Sequence, residues 1–218
     1  MATPIGNLAD MTHRAVETLG EVDAIASEDT RRTRKLLSHY GIRTPLVSYH
    51  EHNEERAARA VVDRLLDGQS IALVTDAGTP LVSDPGYRLV ELAVREGVPV
   101  VSVPGPSAVV AALSVAGLPP MPFHFEGFLP RKSAARRTKL GGLCDLRGTL
   151  VFYVSPHRVG PVLVDMLEVL GDRRAVLARE LTKIHEELLR GTLSELSDEA
   201  AGRSLKGEMV VLVEGRRS

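Results

Sequence analysis

The stretch IALVTDAGTPLVSDPGYRLVELAVREG, residues 71–97, decides the architecture. Residues 71 to 75 are apolar or β-branched and run into a turn built from Asp76, Gly78 and Pro80, which predicts a short buried strand. A second turn, Asp84-Pro85-Gly86, leads into residues 87 to 96, whose apolar positions recur at helical spacing and stop at Gly97, a C-terminal cap residue. Strand, loop and helix in that order form the unit of an α/β fold, in which largely parallel strands are covered by helices.

Working outward, apolar β-branched runs recur at 22–26 (VDAIA), 98–103 (VPVVSV), 149–154 (TLVFYV), 175–178 (AVLA) and 209–213 (MVVLV), and each reads as a buried strand. Helical patterns lie between them. Residues 54 to 67 place Ala57, Ala60, Val61, Leu65 and Leu66 on one stripe closed by Gly68, and residues 159 to 170 form another. Three prolines within Leu118-Pro119-Pro120-Met121-Pro122 suit neither a helix nor a central strand. The expected organisation is an N-terminal α/β domain over 1–117 and a C-terminal α/β domain over 121–218. Thr3-Pro4 begins a turn after two residues, so the first strand is stubby or the recorded start is late.

Composition narrows the class. Hydrophobic residues make up 44% and charged residues 25% of 218, ordinary globular usage that argues against disorder and fibrous structure. No apolar run approaches the roughly 20 residues of a bilayer span, and MATPIGNLAD lacks a basic region followed by an apolar one, so the expected location is the cytoplasm. Cys144, the single cysteine, leaves no intrachain disulfide and no thiolate metal cluster. A formal charge of -1 means that any contact with nucleic acid is local.

Four glycine- and proline-bearing turns follow strands in the first half: Thr3 to Asn7, Asp76 to Pro80, Asp84 to Gly86 and Pro104 to Ala108. In an open α/β sheet the carboxyl ends of the strands form the ligand crevice, and glycine admits close approach of the backbone. Each turn by itself is equally explained by turn geometry. Neither G-x-G-x-x-G nor G-x-x-x-x-G-K-[ST] is present, so dinucleotide and triphosphate sites lack their signatures. Asp76 either accepts hydrogen bonds from a ligand or caps the following turn, while Ser107 and nearby backbone amides are donors.

Basic residues concentrate at Arg131, Lys132, Arg136, Arg137 and Lys139, and at Arg31, Arg32, Arg34 and Lys35. Such clusters either hold phosphates or form solvated helix faces. His50-Glu51-His52-Asn53-Glu54 is a weak metal motif, because the two histidines lack a third ligand at a recognisable spacing, and Asn53 reads as a helix N-cap. In Glu28-Asp29-Thr30-Arg31, Asp29 reads as a cap or, with Glu28, faces a substrate.

Taken together, ATPIGNLAD (2–10), SEDTRRTRKLL (27–37), SYHEHNE (48–54), TDAGTPLVSDPGY (75–87), PGPSAVVAAL (104–113), GLPP with FEGFLPRK (117–132) and SPHR (155–158) resemble the ribosomal RNA small-subunit methyltransferase I family of the tetrapyrrole methylase superfamily. The resemblance runs in order through nearly the whole chain and departs only at the beginning, where family members generally have a longer first strand. It implies two α/β domains of the tetrapyrrole methylase type with S-adenosyl-L-methionine in the cleft between them, a homodimer, and 2'-O-methylation of a cytidine in the decoding region of the assembled 30S particle or its 16S ribosomal RNA, with no metal and no membrane. Carried onto matching positions, it places the cofactor at Pro4, Asp76, Gly78, Thr79, Ser107 and Ala108, and more loosely at Tyr153, Leu181 and Thr182. RNA contacts are expected at Arg31, Lys35, His52, Asn53, Arg131, Lys132, Arg136 and Arg137. Glu28, Asp29 and His50 are the candidate acceptors of the ribose proton, since methyl transfer from a sulfonium needs alignment and at most a base. The rival readings are methylation of a corrin or siroheme precursor, an RNA-binding module without catalysis, and a phosphosugar enzyme using helix starts as anion sites.

Overall fold

The computed structural model describes residues 1–216, the side chain of His52 excepted. The chain divides into two units, Met1–Ser107 and Ala108–Ser218.

The first unit runs α1 (His13–Glu21), β1 (Ala24–Ser27), α2 (Thr30–His39), β2 (Leu46–Ser48), α3 (Glu54–Leu66), β3 (Ile71–Val74) and α4 (Tyr87–Arg95). Its sheet has the order β2-β1-β3 with both pairings parallel. The central strand β1 is buried at every position, as a parallel strand covered on both faces requires. Because side chains alternate along a strand, Ala26 meets Tyr49, Ala58, Val61 and Val62 beneath α3 and α4, while Ile25 meets Leu19 of α1 and Leu37 of α2.

Two expectations change here. The buried stripe of α3 is Ala58, Val61 and Val62 with Leu65 partly covered, whereas Ala60 and Leu66 face solvent. Positions 58, 61, 62 and 65 keep the helical spacing i, i+3, i+4, i+7, which the set containing 60 and 66 does not. Residues 98–103 form no strand, and Val100 and Val101 are exposed. A strand needs a ladder partner, and between this segment and β3 lies a cavity of about 920 Å3 lined by Ile71, Leu73, Val98 and Val101 among others. The segment is held instead by single bonds, from Ala2 N–H to Val103 O at 3.2 Å and from Arg14 to Ser102 O at 3.4 Å. The first strand is likewise short: Thr3 makes only an isolated antiparallel bridge with Gly78.

The second unit contains α5 (Ala108–Ala116), β4 (Phe123–Phe128), α6 (Ser133–Gly141), β5 (Thr149–Val154), α7 (Val159–Leu170), β6 (Arg174–Arg179), β7 (Glu187–Thr192), α8 (Leu193–Gly202) and β8 (Met209–Val213). The sheet order is β4-β5-β8-β6-β7, and only the β4–β5 pairing is parallel. The largely parallel arrangement expected from alternating strands and helices therefore holds for the first sheet and not for the second. β4 and β7 carry exposed or half-buried residues throughout most of their length, the signature of edge strands, and so lacked the apolar run that marks a buried one.

The proline-rich segment at 118–122 is not where the two units separate. Val109, Ala112, Leu113 and Ala116 of α5 pack with Val151, Val176, Ala178 and Leu212 on one face of the second sheet, so this helix belongs to the second unit. Leu140, Leu163, Met166 and Leu193 of α6, α7 and α8 cover the other face against Leu150, Phe152, Leu177 and Val211. None of the described helices is long and apolar enough to cross a membrane.

Candidate active site

In the first unit the parallel strands deliver their carboxyl ends to one edge of the sheet, where each is followed by a polar pair: Glu28-Asp29 after β1, Tyr49-His50 after β2 and Thr75-Asp76 after β3. Three loops are tied together there. Thr3 N–H donates to Gly78 O at 2.9 Å and Gly78 N–H donates back to Thr3 O at 3.0 Å. The Thr3 hydroxyl donates to Thr75 O at 3.1 Å, and the Thr79 hydroxyl donates to Pro106 O at 3.2 Å. Pro4, Asp76, Gly78, Thr79 and Ser107, drawn from loops far apart in sequence, thereby share one cradle. Gly78 has φ of 81°, and a Cβ built there would sit at ordinary contact distance, 3.5 Å from Ile5 Cγ2. Its glycine is required by backbone conformation rather than by space.

Asp76 does not cap the turn that follows it. One carboxylate oxygen accepts the Asp29 backbone N–H at 3.1 Å and the other lies 3.2 Å from Arg32 Nη1, so it pins the end of β3 to the start of α2. Asp29 is the N-cap of α2, accepting Arg31 N–H at 2.9 Å. The Arg31 backbone and guanidinium bonds hold its carboxyl below the usual range, which makes it a poor proton acceptor. Glu28 is pushed the other way, by burial and by Asp76, with the Asp76 backbone N–H opposing.

The end of β2 is anchored differently. The buried Tyr49 hydroxyl donates to Glu54 Oε1 at 3.0 Å, and that oxygen also accepts Gly86 N–H at 3.1 Å. Burial and Glu54 raise the Tyr49 phenol. His50 donates its backbone N–H to Asn53 Oδ1 at 2.8 Å, and the Asn53 amide donates to Ser48 O at 3.3 Å. Asn53 stands at the N-cap position of α3, yet its side chain closes the preceding turn instead of bonding to the helix, and little of it is left for RNA. The side chain of His52 lies outside the described residues. No three histidine, cysteine or carboxylate side chains among those described are grouped to hold a metal ion.

Three residues here went unmarked by the sequence. Asp84, in the turn before α4, is half-buried and pushed up to about 6 by burial, then by Glu28, with Asp76 adding to it and the nearby Thr75 hydroxyl opposing. Ser27, at 0% exposure, buries a hydroxyl oxygen that meets no hydrogen-bond partner among the described residues, whereas the Thr75 hydroxyl, at 2%, faces the Asp84 carboxylate. The loop holding Asp84 is strained, since Leu81 and Ser83 adopt φ of 71° and 66°. The available signal was the Asp84-Pro85-Gly86 turn, which the sequence counted among the loops of a ligand crevice without singling out the Asp84 side chain.

In the second unit, Ala108 opens α5. Tyr153 of β5 stacks edge-on against Phe125 with centroids 4.9 Å apart. Leu181 packs beneath the α5 cluster, and Thr182 has φ of 67° with a buried hydroxyl lacking a partner among the described residues. Of the residues expected to meet RNA, Arg31, Lys35, Arg131 and Lys132 are exposed. Arg136 is not: it is 4% exposed, with Nε 2.6 Å from Asp165 Oδ2 and its other nitrogens on the carbonyls of Pro130, Arg131 and Pro161. A guanidinium so committed is structural, and the dense basic run concealed this because helical periodicity turns position 136 inward. Arg137 is half-exposed and pairs with Asp165 and Glu168, each at 2.6 Å.

The profile of the Tetrapyrrole (Corrin/Porphyrin) Methylases matches residues 2–197. The chain is 55% identical over 218 residues to a ribosomal RNA small subunit methyltransferase I from Vibrio cholerae, covering 99% of this chain and 76% of that one. It is 53% identical over 215 residues to the protein of the same name from Halalkalibacterium halodurans, covering 99% and 74%. Among solved structures, a diphthine synthase superposes with a TM-score of 0.72 at 17% identity, covering 97% of this chain and 87% of that one. A cobalt precorrin-4 methyltransferase superposes with a TM-score of 0.70 at 18% identity, covering 94% and 89%. At such identities these two structures speak for the fold alone.

Proposed function

The chain belongs to the tetrapyrrole methylases and, within them, to the ribosomal RNA small subunit methyltransferase I family, and from that premise we propose that it methylates the 2'-hydroxyl of a cytidine in the decoding region of 16S ribosomal RNA. The observation that carries the reading is the cradle in which the loops at Thr3, Gly78 and Pro106 are bonded into one surface beside Glu28, Asp76 and Asp84.

S-adenosyl-L-methionine supplies a methyl group on a positively charged sulfur. The residues at the strand ends fit it: three neighbouring carboxylates with, among the described residues, Arg32 alone paired against them favour a cation, and Ser27 holds a buried hydroxyl that still needs a hydrogen-bond partner. Pro4, Gly78, Thr79 and Ser107 line the cradle, and Asp76 fixes its shape. Ala108, Tyr153, Leu181 and Thr182 join the cofactor set on the resemblance, and the unpaired Thr182 hydroxyl is in keeping with that. The proposed setting is the cytoplasm, with a homodimer acting on the 30S particle or its RNA. Arg31, Lys35, Arg131 and Lys132 are the exposed cations suited to phosphates.

Calorimetry with S-adenosyl-L-methionine, followed by mapping of tritium from the labelled methyl onto small-subunit RNA of a strain lacking this protein, tests the reading. The expected result is one labelled cytidine ribose. Label transferred to a corrin or siroheme precursor and not to RNA would replace it with the tetrapyrrole alternative. The double variant Arg131→Glu/Lys132→Glu is expected to weaken RNA binding and to flatten the slope of log affinity against log salt by about 1–2 units, roughly 0.7–0.9 for each phosphate no longer neutralised. Filter binding at several salt concentrations checks it, and an unchanged slope excludes both cations from the interface.

A further inference from the structure

The edge strand β4 pairs with β5 in two registers. Phe123, His124 and Phe125 lie opposite Thr149, Leu150 and Val151, the register slips at Glu126, and Gly127 and Phe128 resume opposite Phe152 and Tyr153. Side chains alternate between the faces of a strand, so the extra residue turns Phe128 onto the face that carries Phe125, Val151 and Tyr153. An unbroken register would have set it opposite Val154, on the other face. Bulges are rare in parallel pairs and serve to re-aim a side chain, and Gly127, with φ of 63°, supplies the left-handed conformation needed beside this one.

The ring so placed is not used for the core. Phe128 is 54% exposed, and it leans on Tyr153 with centroids 5.5 Å apart, while Phe125 flanks Tyr153 at 4.9 Å. The chain has four phenylalanines, four tyrosines and no tryptophan, so a row of three rings whose outermost member faces solvent is a concentration that packing leaves unexplained. The loop that follows is fixed from the protein side. The buried Arg136 donates to Pro130 O at 3.2 Å and to Arg131 O at 3.1 Å, Arg158 donates to Leu129 O at 3.3 Å, and Leu129 is itself buried. Lys139 is held by Glu126 at 3.1 Å. Arg131 and Lys132 remain exposed with no ion pair among the described residues, and no acid occurs between Glu126 and Asp145.

We infer that Phe128 is a stacking platform for an unpaired base of the RNA, whose backbone phosphates rest on Arg131 and Lys132; this rests on the methylation reading above. An aromatic face accepts any base through its π surface while adjacent cations follow the backbone, the combination by which single strands are held. A purely apolar guest has no use for two unpaired cations in the loop that follows the ring. A base joined to its phosphates satisfies both. The resemblance puts Tyr153 in the cofactor set, and a base lying on Phe128 is then one ring away from a residue of that set. The buried pair of Arg136 and Asp165 also gains a purpose, since it holds rigid the loop that presents the cations and leaves little ordering for the RNA to impose.

The lack of tryptophan makes the test direct. Phe128→Trp gives the full chain a single indole, whose fluorescence should be quenched as a short single-stranded RNA from the decoding region is added. Phe128→Ala should weaken binding of that RNA by about 5- to 150-fold, the contribution of one stacked base, and leave the slope of log affinity against log salt unchanged because no phosphate contact is lost. Phe128→Leu keeps apolar area without a ring face and should bind like the alanine variant, whereas Phe128→Tyr should bind like wild type. A ring that merely packs on Tyr153 would be replaced as well by leucine. Binding by Phe128→Ala within about twofold of wild type, or an indole that RNA does not quench, overturns the proposal. An indole that becomes shielded from iodide as protein concentration rises without RNA assigns the ring to a second copy of the chain and overturns it too. Wild type that binds the cofactor yet methylates no RNA fails the underlying reading and removes this one with it; wild type that methylates RNA beside an unimpaired Phe128→Ala fails this inference alone.

Discussion

Asp165→Asn is expected to destabilise the second unit by about 3–5 kcal/mol, the cost of leaving a buried cation without its counter-charge. Arg136 and Asp165 are 4% and 2% exposed, and the carboxylate also accepts from the Ser133 hydroxyl at 3.0 Å and from Arg137 at 2.6 Å. Asparagine keeps the shape but removes the charge. It leaves the Arg136 guanidinium enclosed among backbone carbonyls that cannot neutralise it. Urea unfolding should show the midpoint moving with little change in slope. Arg137→Ala serves as the comparison, since a solvent-screened partner should cost far less than the buried one. Equal losses in the two variants would show that burial does not set the energy here. The pH dependence has a definite sign: burial pushes Asp165 up, but the bonds from Arg137, Ser133 and Arg136 outweigh it and hold its carboxyl below the ordinary value. Its contribution is therefore full above about pH 4 and is lost as pH falls through the lowered value.

This ion pair also shows where the sequence stopped being legible. The run Arg131 to Lys139 contains no acid, and its partner Asp165 lies on another helix, so nothing local distinguishes the inward-facing arginine from its exposed neighbours. Strands buried on both faces, such as 149–154 and 209–213, were plain because covering both faces of a strand demands a continuous apolar run. The edge strands β4 and β7 were not, since half-covered residues lack that run. Residues 98–103 had the run and formed no strand, because composition says nothing of whether a ladder partner stands alongside. At the site, the loops around Gly78 and Pro106 could be picked out one by one, but the bonds joining them, and the charge gathered on Asp84, arise only when strands far apart in sequence end together.

The last expectation follows from that convergence. Gly86→Ala should cost about 1–3 kcal/mol in stability and a larger share of methylation, because Gly86 holds the loop on which Asp84 stands. Its φ is 135°, where L side chains are strained, and an added Cβ would come within 2.8 Å of Leu73 Cδ2 and 2.9 Å of Leu81 Cδ1. Both leucines must yield, and Leu81 already has a left-handed backbone. Any shift of the loop also stretches the 3.1 Å bond from Gly86 N–H to Glu54, on which the Tyr49 hydroxyl depends. Gly97→Ala separates backbone strain from crowding: φ there is 75°, but nothing lies within 4 Å of the new carbon. That variant should lose about 1 kcal/mol and keep its methylation rate, being at the far end of α4 from the strand ends. If Gly86→Ala matched Gly97→Ala in both stability and rate, the strained turn would not be what holds Asp84 in place.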